Sequence, residues 1–271
     1  MQTSRVMIVG MDVCHASKNS IVGFVASTNS SCTSFYQDII VQAKGQEIVK
    51  RDLDRVYGNA LDQFRGLNDG QYPDKIIIYR DGVGEAMRKQ VIDKEVTQLR
   101  AVLSNILEDS ARLPKITLVV VNKRINQRMF VHDKNPKVDT AMNPMPGTII
   151  DSSLVENANS NQCFDFFLVS QLTTQGCITP THYFVSINES EHDVTKEDIE
   201  NLTFSLSFMY SNWSGSIKVP SVCQLGHKIA EYHHAFDKYG VLKQGGRGAK
   251  QPVDLRKLCR NENFLNNCYY L

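Results

Sequence analysis

The chain contains 271 residues, 42% of them hydrophobic, which is enough for one large domain or two small ones with a full core. Its formal net charge is +1, which excludes the broad basic field of a protein that binds nucleic acid non-specifically. Any nucleic-acid site must therefore be a local basic groove.

The seven cysteines are scattered along the chain and form no CxxC pair. No N-terminal apolar segment of the secretory type precedes them, and no apolar run is long enough to span a membrane. We therefore expect reduced, structural thiols in a cytoplasmic or nuclear protein that is not secreted and has no membrane partner.

The first part of the chain predicts three strands, a helix and a fourth strand. Apolar runs at 5–13, 21–27 and 34–42 predict the strands, and the short gap between the last two favours an antiparallel hairpin. A helix is expected from about Glu47 to Phe64, because apolar residues recur there on one helical face. The segment IIIYRD (76–81) is typical of a strand buried on both faces.

The rest of the chain mixes helices and strands. We expect helices at 85–107, from 196 to about 209, and around 225–236, with Thr195 and Asp198 spaced for a capping box. Further strands are predicted at 116–121, 147–151, 164–170 and 183–187, and the basic, glycine-rich segment 243–250 is expected to be a mobile loop. With no repeat and no clear linker, this order favours one α/β domain with a mixed sheet.

The first and the fourth predicted strands share one feature, an aspartate at their carboxyl end. Asp12 ends the first, and Asp81 ends the fourth, where Gly82 and Gly84 turn the chain. A carboxylate at the carboxyl end of a central strand is where α/β proteins place their chemistry. The alternative is a plain turn aspartate, and the second copy of the same arrangement argues against it.

Eight segments stand out in order along the chain: VGMDVCH (9–15), GQEIVKRDL (45–53), IIIYRDGVGE (76–85), VNKRINQRMF (121–130), PGTIID (146–151), FDFFLVSQ (164–171), PTHY (180–183) and VPSVCQLGHK (219–228). Together they resemble the PIWI domain of Argonaute proteins, and the Piwi branch more than the Argonaute branch. The resemblance covers nearly the whole chain, so residues 1–271 are interpreted as a single PIWI domain without the amino-terminal, PAZ and MID regions of the family. It implies an α/β ribonuclease H-like fold, with a mixed central sheet flanked by helices.

The resemblance implies a catalytic tetrad that cleaves RNA and leaves a 5′-phosphate and a 3′-hydroxyl. Two divalent ions about 3.5–4 Å apart can activate a water and stabilise the leaving oxygen. Mg²⁺, or Mn²⁺ in its place, prefers hard oxygen ligands. We expect Asp12 to bridge both ions, Asp81 and His227 to complete the shell of one ion, and Glu47 to order the waters.

Glu47 and His227 also have alternative interpretations. Glu47 could merely open a helix, where a carboxylate favours the N-terminal dipole. His233 and His234 compete with His227, which the register of the family segment selects. His15 follows a cysteine, but a thiol is the wrong ligand for Mg²⁺, so we do not expect a metal pair there.

The resemblance also implies a surface for a guide RNA. Basic side chains beyond the 116–121 strand, next to Lys123, would contact phosphates without reading sequence. The alternatives are a solvated turn, core aromatic residues at Tyr210 and Trp213, and a packed hydrophobic tail at the C-terminus. The implied guide-binding residues are Arg124, Arg128, Tyr210, Asn212, Lys218, Gln224 and Leu271, the last at the pocket for the 5′-phosphate of the guide.

For function, the resemblance implies a piRNA-like, guide-dependent endoribonuclease that uses Mg²⁺ and silences complementary RNA, with silencing-complex proteins as partners. The alternative is a guide-RNA-binding silencing scaffold with little or no cleavage activity. An unguided nuclease of the ribonuclease H type is disfavoured by the segments KRIN (123–126) and VPSVCQ (219–224).

Overall fold

The structure is a computed structural model that describes residues 4–15, 19–107, 113–132, 141–157, 159–173, 175–238, 268 and 270–271. The basic segment 243–250, expected to be a loop, lies outside the described residues. The six cysteines in the described ranges are all free thiols. No helix in these ranges has the length and hydropathy to cross a membrane.

Eight strands of the described chain form one mixed sheet: β1 (Val6–His15), β2 (Asn19–Ser27), β3 (Phe35–Ala43), β4 (Lys75–Asp81), β5 (Lys115–Asn122), β8 (Thr148–Ile150), β9 (Phe164–Val169) and β10 (Thr181–Asn188). Their order across the sheet is β3-β2-β1-β4-β5-β10-β9-β8. The central strands β1, β4 and β5 run parallel, and every other neighbouring pair is antiparallel, including the predicted hairpin of β2 and β3. The sheet therefore confirms the predicted mixed α/β class.

A separate two-stranded ribbon, formed by β6 (Val131–His132) and β7 (Ala141–Met142), was not predicted. Two residues per strand are too few to show a period-2 pattern, so the sequence carries no signal for it.

The sheet carries a hydrophobic core on both faces. Helices α1 (Leu53–Leu67) and α3 (Thr97–Ile106) pack on one face, and α4 (Lys196–Leu206) and α5 (Ser221–Lys238) pack on the other. This arrangement explains the continuous apolar run at the start of β4, since successive side chains of a strand alternate between faces and both faces here are covered.

The helix expected from Glu47 begins six residues later, at Leu53. Asp52, which precedes it, has a left-handed backbone with φ 66°, so the chain before Leu53 does not continue the helix. Residues 47–49 are instead held by tertiary hydrogen bonds. Periodicity reports only local spacing, so it extended the helix into a segment that long-range contacts hold in a loop.

The long helix expected over 85–107 is a series of different helical turns. A 3₁₀ turn (Glu85–Met87) and α2 (Arg88–Gln90) precede a π-helical segment (Val91–Val96), and α3 follows. The wider π segment places a carboxylate, Glu95, among its buried residues. Such turns often occur at functional sites.

Helix α5 begins four residues earlier than predicted, directly after Pro220, and α4 ends three residues earlier, at Leu206. The predicted capping box of α4 is present. Helix α5 lies very close to the sheet, because a Cβ on Gly23 of β2 would lie 1.9 Å from the carbonyl oxygen of Gly226. Only glycine at residue 23 permits this approach.

Candidate active site

Asp12 and Asp81 lie side by side on neighbouring parallel strands. The register pairs Met11 with Arg80, so the next residue on each strand is an aspartate. Asp81 ends β4 as expected, but the expectation that Asp12 ends its strand is wrong, because pairing with β2 continues β1 to His15. Adjacent strands are about 4.8 Å apart. Both carboxylates are buried, with 5% of Asp12 and 0% of Asp81 exposed. Strand alternation turns them towards α5 and turns Arg80 to the opposite face.

His227 approaches Asp12 from α5. Its Nδ1 lies 2.6 Å from Oδ2 of Asp12, and 37% of its side chain is exposed. His233 and His234, the alternatives in the sequence, lie about two turns further along the same helix. The structure therefore brings His227, rather than those two residues, to the aspartates.

Lys123, which follows β5, contacts the second aspartate. Its Nζ lies 2.6 Å from Oδ2 of Asp81, and the backbone carbonyl of Lys123 accepts a hydrogen bond of 2.8 Å from Lys218 Nζ. The other carboxylate oxygen of Asp81, Oδ1, is buried without a hydrogen-bond partner. Asp81 thus has one oxygen that is paired with a cation and one that is available to a ligand.

Glu47 contacts the site from the loop between β3 and α1. Arg80 Nη2 lies 2.9 Å from Glu47 Oε1 and donates a hydrogen bond of 2.7 Å to the Glu47 backbone carbonyl. His15 Nε2 lies 3.0 Å from Glu47 Oε2. The expectation that Glu47 opens a helix is wrong, and two basic side chains hold its carboxylate instead.

The sequence analysis did not identify three basic side chains, Arg80, His15 and Lys123, as partners of the carboxylates. Arg80 has 0% of its surface exposed. An arginine inside an apolar strand needs buried hydrogen-bond acceptors, so the sequence already indicated that Arg80 pairs with buried acidic or carbonyl groups. His15 was considered only as a metal ligand, and Lys123 only as a neighbour of the guide. Their contacts with Glu47 and Asp81 join segments that are distant in sequence.

The two aspartates differ in acidity. Burial raises the pKa of Asp12, but the hydrogen bond with His227 and the charge of Lys123 outweigh it and hold the pKa below its usual value. Burial and the neighbouring Asp12 raise the pKa of Asp81, in spite of its contact with Lys123. A cation between them would favour the charged form of both.

Burial also shifts the pKa values of Glu47 and Lys123, in competition with nearby charges. Burial raises the pKa of Glu47, and the charges of Arg80 and His15 offset only part of this. Burial lowers the pKa of Lys123, but the nearby Asp81 outweighs it and raises the pKa above its usual value. Lys123 is therefore an ammonium ion, and it lies among carboxylates that repel one another.

The acidic side chains suit a hard divalent cation. Their metal-ligand atoms would be carboxylate oxygens, and one of these, Asp81 Oδ1, is buried without a hydrogen-bond partner. Gly82, with φ +84°, leaves space between the other two carboxylates, since a Cβ there would lie 3.5 Å from Asp12 Oδ1 and 3.6 Å from Glu47 Oε1. Within the described residues, no three His, Cys, Asp or Glu side chains are already arranged to hold an ion. Lys123 supplies positive charge beside Asp81 instead.

Lys123, Arg124, Arg128 and Lys218 form a group called here the basic rim, which meets the carboxylates where Lys123 contacts Asp81. Arg124 and Arg128 are exposed, and Arg128 Nη1 donates to two backbone carbonyls of its own segment. Lys218 Nζ lies 2.8 Å from the backbone carbonyl oxygen of Lys123, and burial together with the charges of Arg128 and Lys123 lowers the pKa of Lys218. The chain thus has a local basic surface although its net charge is only +1.

The remaining predicted guide-binding residues lie in different settings. Tyr210 is in the core, with 7% exposed, so little of its side chain is available to an RNA, and its contact with a guide stays a prediction. Asn212 is exposed, as is Trp213 at 63%, which is therefore not a core aromatic residue. Gln224 is half-buried on α5, and Leu271 is 40% exposed.

Known proteins resemble this chain over most of its length. A family profile described as the Piwi domain matches residues 1–238. The Piwi-like protein Ago3 of Bombyx mori is 40% identical over 227 residues, which are 83% of this chain and 23% of that protein. Piwi-like protein 1 of Gallus gallus is 38% identical over 229 residues, or 83% of this chain and 25% of that protein.

Two solved structures are similar over 98% of this chain. The C-terminal lobe of a budding yeast Argonaute has a TM-score of 0.80 and 26% identity, with 53% of that chain covered. Kluyveromyces polysporus Argonaute with a guide RNA has a TM-score of 0.81 and 24% identity, with 32% covered. Together with the mixed sheet, these similarities confirm the expected α/β ribonuclease H-like fold.

The chain spans about a quarter of the length of these two curated relatives, 23% and 25%, so the activity of the complete proteins is not transferred with the similarity. The profile match ends at residue 238, and the extension of the domain to residue 271 stays a prediction. From the profile match and the identities, the chain belongs to the Piwi domain family, among the Piwi-like proteins.

Proposed function

We propose that this chain is the catalytic domain of a small-RNA-guided endoribonuclease that cleaves complementary RNA with Mg²⁺ or Mn²⁺. One observation carries the proposal: two buried aspartates, a glutamate and a histidine from four separate segments meet at the carboxyl end of β4 and beside it on β1. Strand ends at the centre of an α/β sheet are where such folds bind ligands and carry out chemistry.

The residues have separable roles in this proposal. Asp12 and Asp81 would hold divalent ions through their carboxylate oxygens, with His227 as a further ligand, and Glu47 would hydrogen-bond the waters. When bound, two such ions supply activation of a water and stabilisation of the leaving oxygen. His227 also orients Asp12 through their 2.6 Å contact. The products would carry a 5′-phosphate and a 3′-hydroxyl.

The basic rim supports the RNA part of the proposal. Its side chains, with Asn212, Gln224, Tyr210 and Leu271 as further predicted contacts, would bind the phosphate backbone of a guide RNA without reading its sequence. Base pairing between guide and target would then supply sequence recognition, as in other RNA-guided effectors. The solved Kluyveromyces polysporus Argonaute is bound to a guide RNA, and we extend the proposal to a piRNA-like guide, as the resemblance to the Piwi branch implies.

The decisive experiment is Asp81→Ala in guide-loaded protein supplied with Mg²⁺. We expect loss of cleavage of a complementary RNA with unchanged guide loading. Asp193→Ala is a matched control, because Asp193 also pairs with a lysine, Lys115, but at an exposed position beside the start of β5. Equal cleavage by wild type and Asp81→Ala would contradict the proposal.

A guide-binding silencing scaffold with little or no cleavage is the second candidate. The ion pair of 2.6 Å between Lys123 and Asp81 favours it, because an internal cation already neutralises part of the site. Normal guide loading with no cleavage in Mg²⁺ or Mn²⁺ would support this scaffold. Silencing-complex partners and a cytoplasmic or nuclear location are expected under both proposals.

A further inference from the structure

Glu95 is a buried carboxylate that the proposed chemistry does not use. It has 5% of its surface exposed and lies in the π-helical segment Val91–Val96, beneath the face of the sheet opposite α5. Burial of a charged side chain is costly unless the charge is paired and hydrogen-bonded. Its partners therefore indicate its role.

Both oxygens of Glu95 are engaged. Arg80 Nε lies 3.1 Å from Oε2, Arg80 Nη2 lies 3.3 Å from Oε1, and the backbone N–H of Val49 donates a hydrogen bond of 2.9 Å to Oε1. These bonds leave Glu95 unsuited as a metal ligand. They connect it instead to two groups that hold Glu47.

The first connection runs through Arg80. The guanidinium lies between two acids, with Nη2 2.9 Å from Glu47 Oε1 on one side and Glu95 on the other. Arg80 also donates to the backbone carbonyls of Glu47, at 2.7 Å, and Asp81, at 2.6 Å. Glu95 thus fixes the orientation of the cation that orients Glu47.

The second connection runs through the backbone of Val49, two residues after Glu47. Glu95 accepts the N–H of Val49, and Gln98 Nε2 donates 3.0 Å to its carbonyl oxygen. Gln98 also donates 2.8 Å to Lys94 O, which fixes its side chain against its own helix. Two side chains of one helical run therefore hold both polar backbone groups of Val49.

We infer that Glu95 is a positioning residue that holds Glu47 at the aspartates, acting through Arg80 and the Val49 backbone, with Gln98 as a second support. The inference rests on the proposed function and extends it to the helix behind the sheet. A purely structural ion pair is a weaker explanation, since buried pairs add little net stability, whereas these bonds converge on the loop that carries Glu47.

The first test measures the loop directly, without RNA or metal. Glu95→Gln preserves shape and removes the charge, and Gln98→Ala removes the second support without touching a buried charge. Glu95→Gln weakens the bonds to Arg80, and Gln98→Ala removes the bond to the Val49 carbonyl. Each change costs the loop roughly one hydrogen bond, so we expect hydrogen–deuterium exchange at the Val49 amide to rise about fivefold or more. The rise should be confined to residues 46–50.

Glu189→Gln is the matched control, because Glu189 also pairs with an arginine, Arg100 at 2.5 Å, and accepts a backbone N–H, that of Ile116 at 2.8 Å. It lies beside the start of β5, away from the aspartates. The control should leave exchange at Val49 unchanged. If both test variants match the control, or if exchange rises throughout the chain, the positioning role is wrong.

The second test is kinetic and uses guide-loaded protein. We expect Glu95→Gln to lower the single-turnover cleavage rate about 10²-fold, as small misplacements in active sites do, with target affinity unchanged. In a Glu47→Gln background, Glu95→Gln should add no further loss. A full multiplicative loss in the double variant would overturn the inference. If wild type itself does not cleave, the proposed function fails, and the exchange experiment still decides the positioning role.

Discussion

His227 and Asp12 are separated by 215 residues in sequence, yet Nδ1 of the one lies 2.6 Å from Oδ2 of the other. Helix α5 makes this contact possible because it packs directly on β1 and β2. At the closest point, the carbonyl oxygen of Gly226 approaches Gly23, where a side chain would not fit. The geometry of the candidate site therefore depends on a backbone contact one residue away from the histidine.

Replacing Gly23 with alanine should displace α5. The new Cβ would lie 1.9 Å from Gly226 O, a backbone atom that cannot rotate away. We expect a loss of about 1–3 kcal/mol in the free energy of unfolding, as for other overpacked cores, together with loss of cleavage. Urea denaturation measures the first effect and single-turnover kinetics the second.

Gly58→Ala provides the control for Gly23→Ala. A Cβ on Gly58, within α1, meets nothing within 4 Å, and alanine is the better helix former by about 1 kcal/mol. This variant should be as stable as wild type or more so. Wild-type stability in Gly23→Ala would show that α5 tolerates a shift.

Lys123→Met should destabilise the protein in the absence of divalent ions. The change leaves Asp81, which is 0% exposed, without its partner, and loss of one member of a buried pair costs about 3–5 kcal/mol. Because 29% of the Lys123 side chain is exposed, solvent weakens the pair, and we expect the free energy of unfolding to fall by only roughly 1–3 kcal/mol. Thermal unfolding in a chelator measures this loss.

Added Mg²⁺ should then raise the Tm of Lys123→Met more than that of wild type, since a ligand that binds the folded state stabilises it and the lysine no longer competes. Lys115→Met is the control, because its partner Asp193 is exposed. Equal Mg²⁺-induced shifts in Lys123→Met and wild type would refute competition at this site.

Arg128→Gln should weaken guide binding uniformly across sequences. A protein with one phosphate contact fewer releases fewer counterions when it binds. The magnitude of the slope of log K, the binding constant, against log[salt] should therefore fall by about 0.7 for a single-stranded RNA. Filter binding of guides of different sequence from low to high salt measures both effects. Arg65→Gln, an exposed arginine on α1, should leave the slope unchanged, and a change confined to particular guide sequences would contradict phosphate contact.

Glu200 should make stability depend on pH. Burial and the nearby Asp151 raise its pKa to about 7, from an ordinary value of 4.5, although Lys196 partly opposes this. Between these pH values the folded protein keeps a proton that the unfolded chain has lost, so Glu200 lowers stability as the pH rises from about 4.5 to 7.

Glu200→Gln should remove this dependence and be more stable than wild type at pH 8, by at most roughly 3 kcal/mol, since each pKa unit is worth about 1.4 kcal/mol. Denaturation between pH 5 and about pH 8 measures the slope. The exposed Glu197, on the same helix, is the control, and Glu197→Gln should retain the slope of wild type. If Glu200→Gln keeps the pH dependence of wild type, Glu200 is not the cause of that dependence.

Periodicity and strand-end chemistry determined much of this protein from sequence alone. Patterns a few residues long predicted the central strands, the hairpin, the capping box of α4 and the position of Asp81 at the end of β4. They placed Asp12 at the end of its strand as well, but pairing with β2 carries β1 on to His15. Recognisable family segments added the family and the fold, because eight short matches in order constrain the whole chain.

Only the tertiary structure decided how the carboxylates are held. It placed Glu47 in a loop rather than a helix, gave Asp81 a lysine, and placed Arg80 between Glu47 and the buried Glu95. Local patterns report the spacing of apolar residues within one element. These contacts join residues from different elements, and their partners are set by sheet register, a π turn and the close approach of α5, none of which leaves a periodic trace in the sequence.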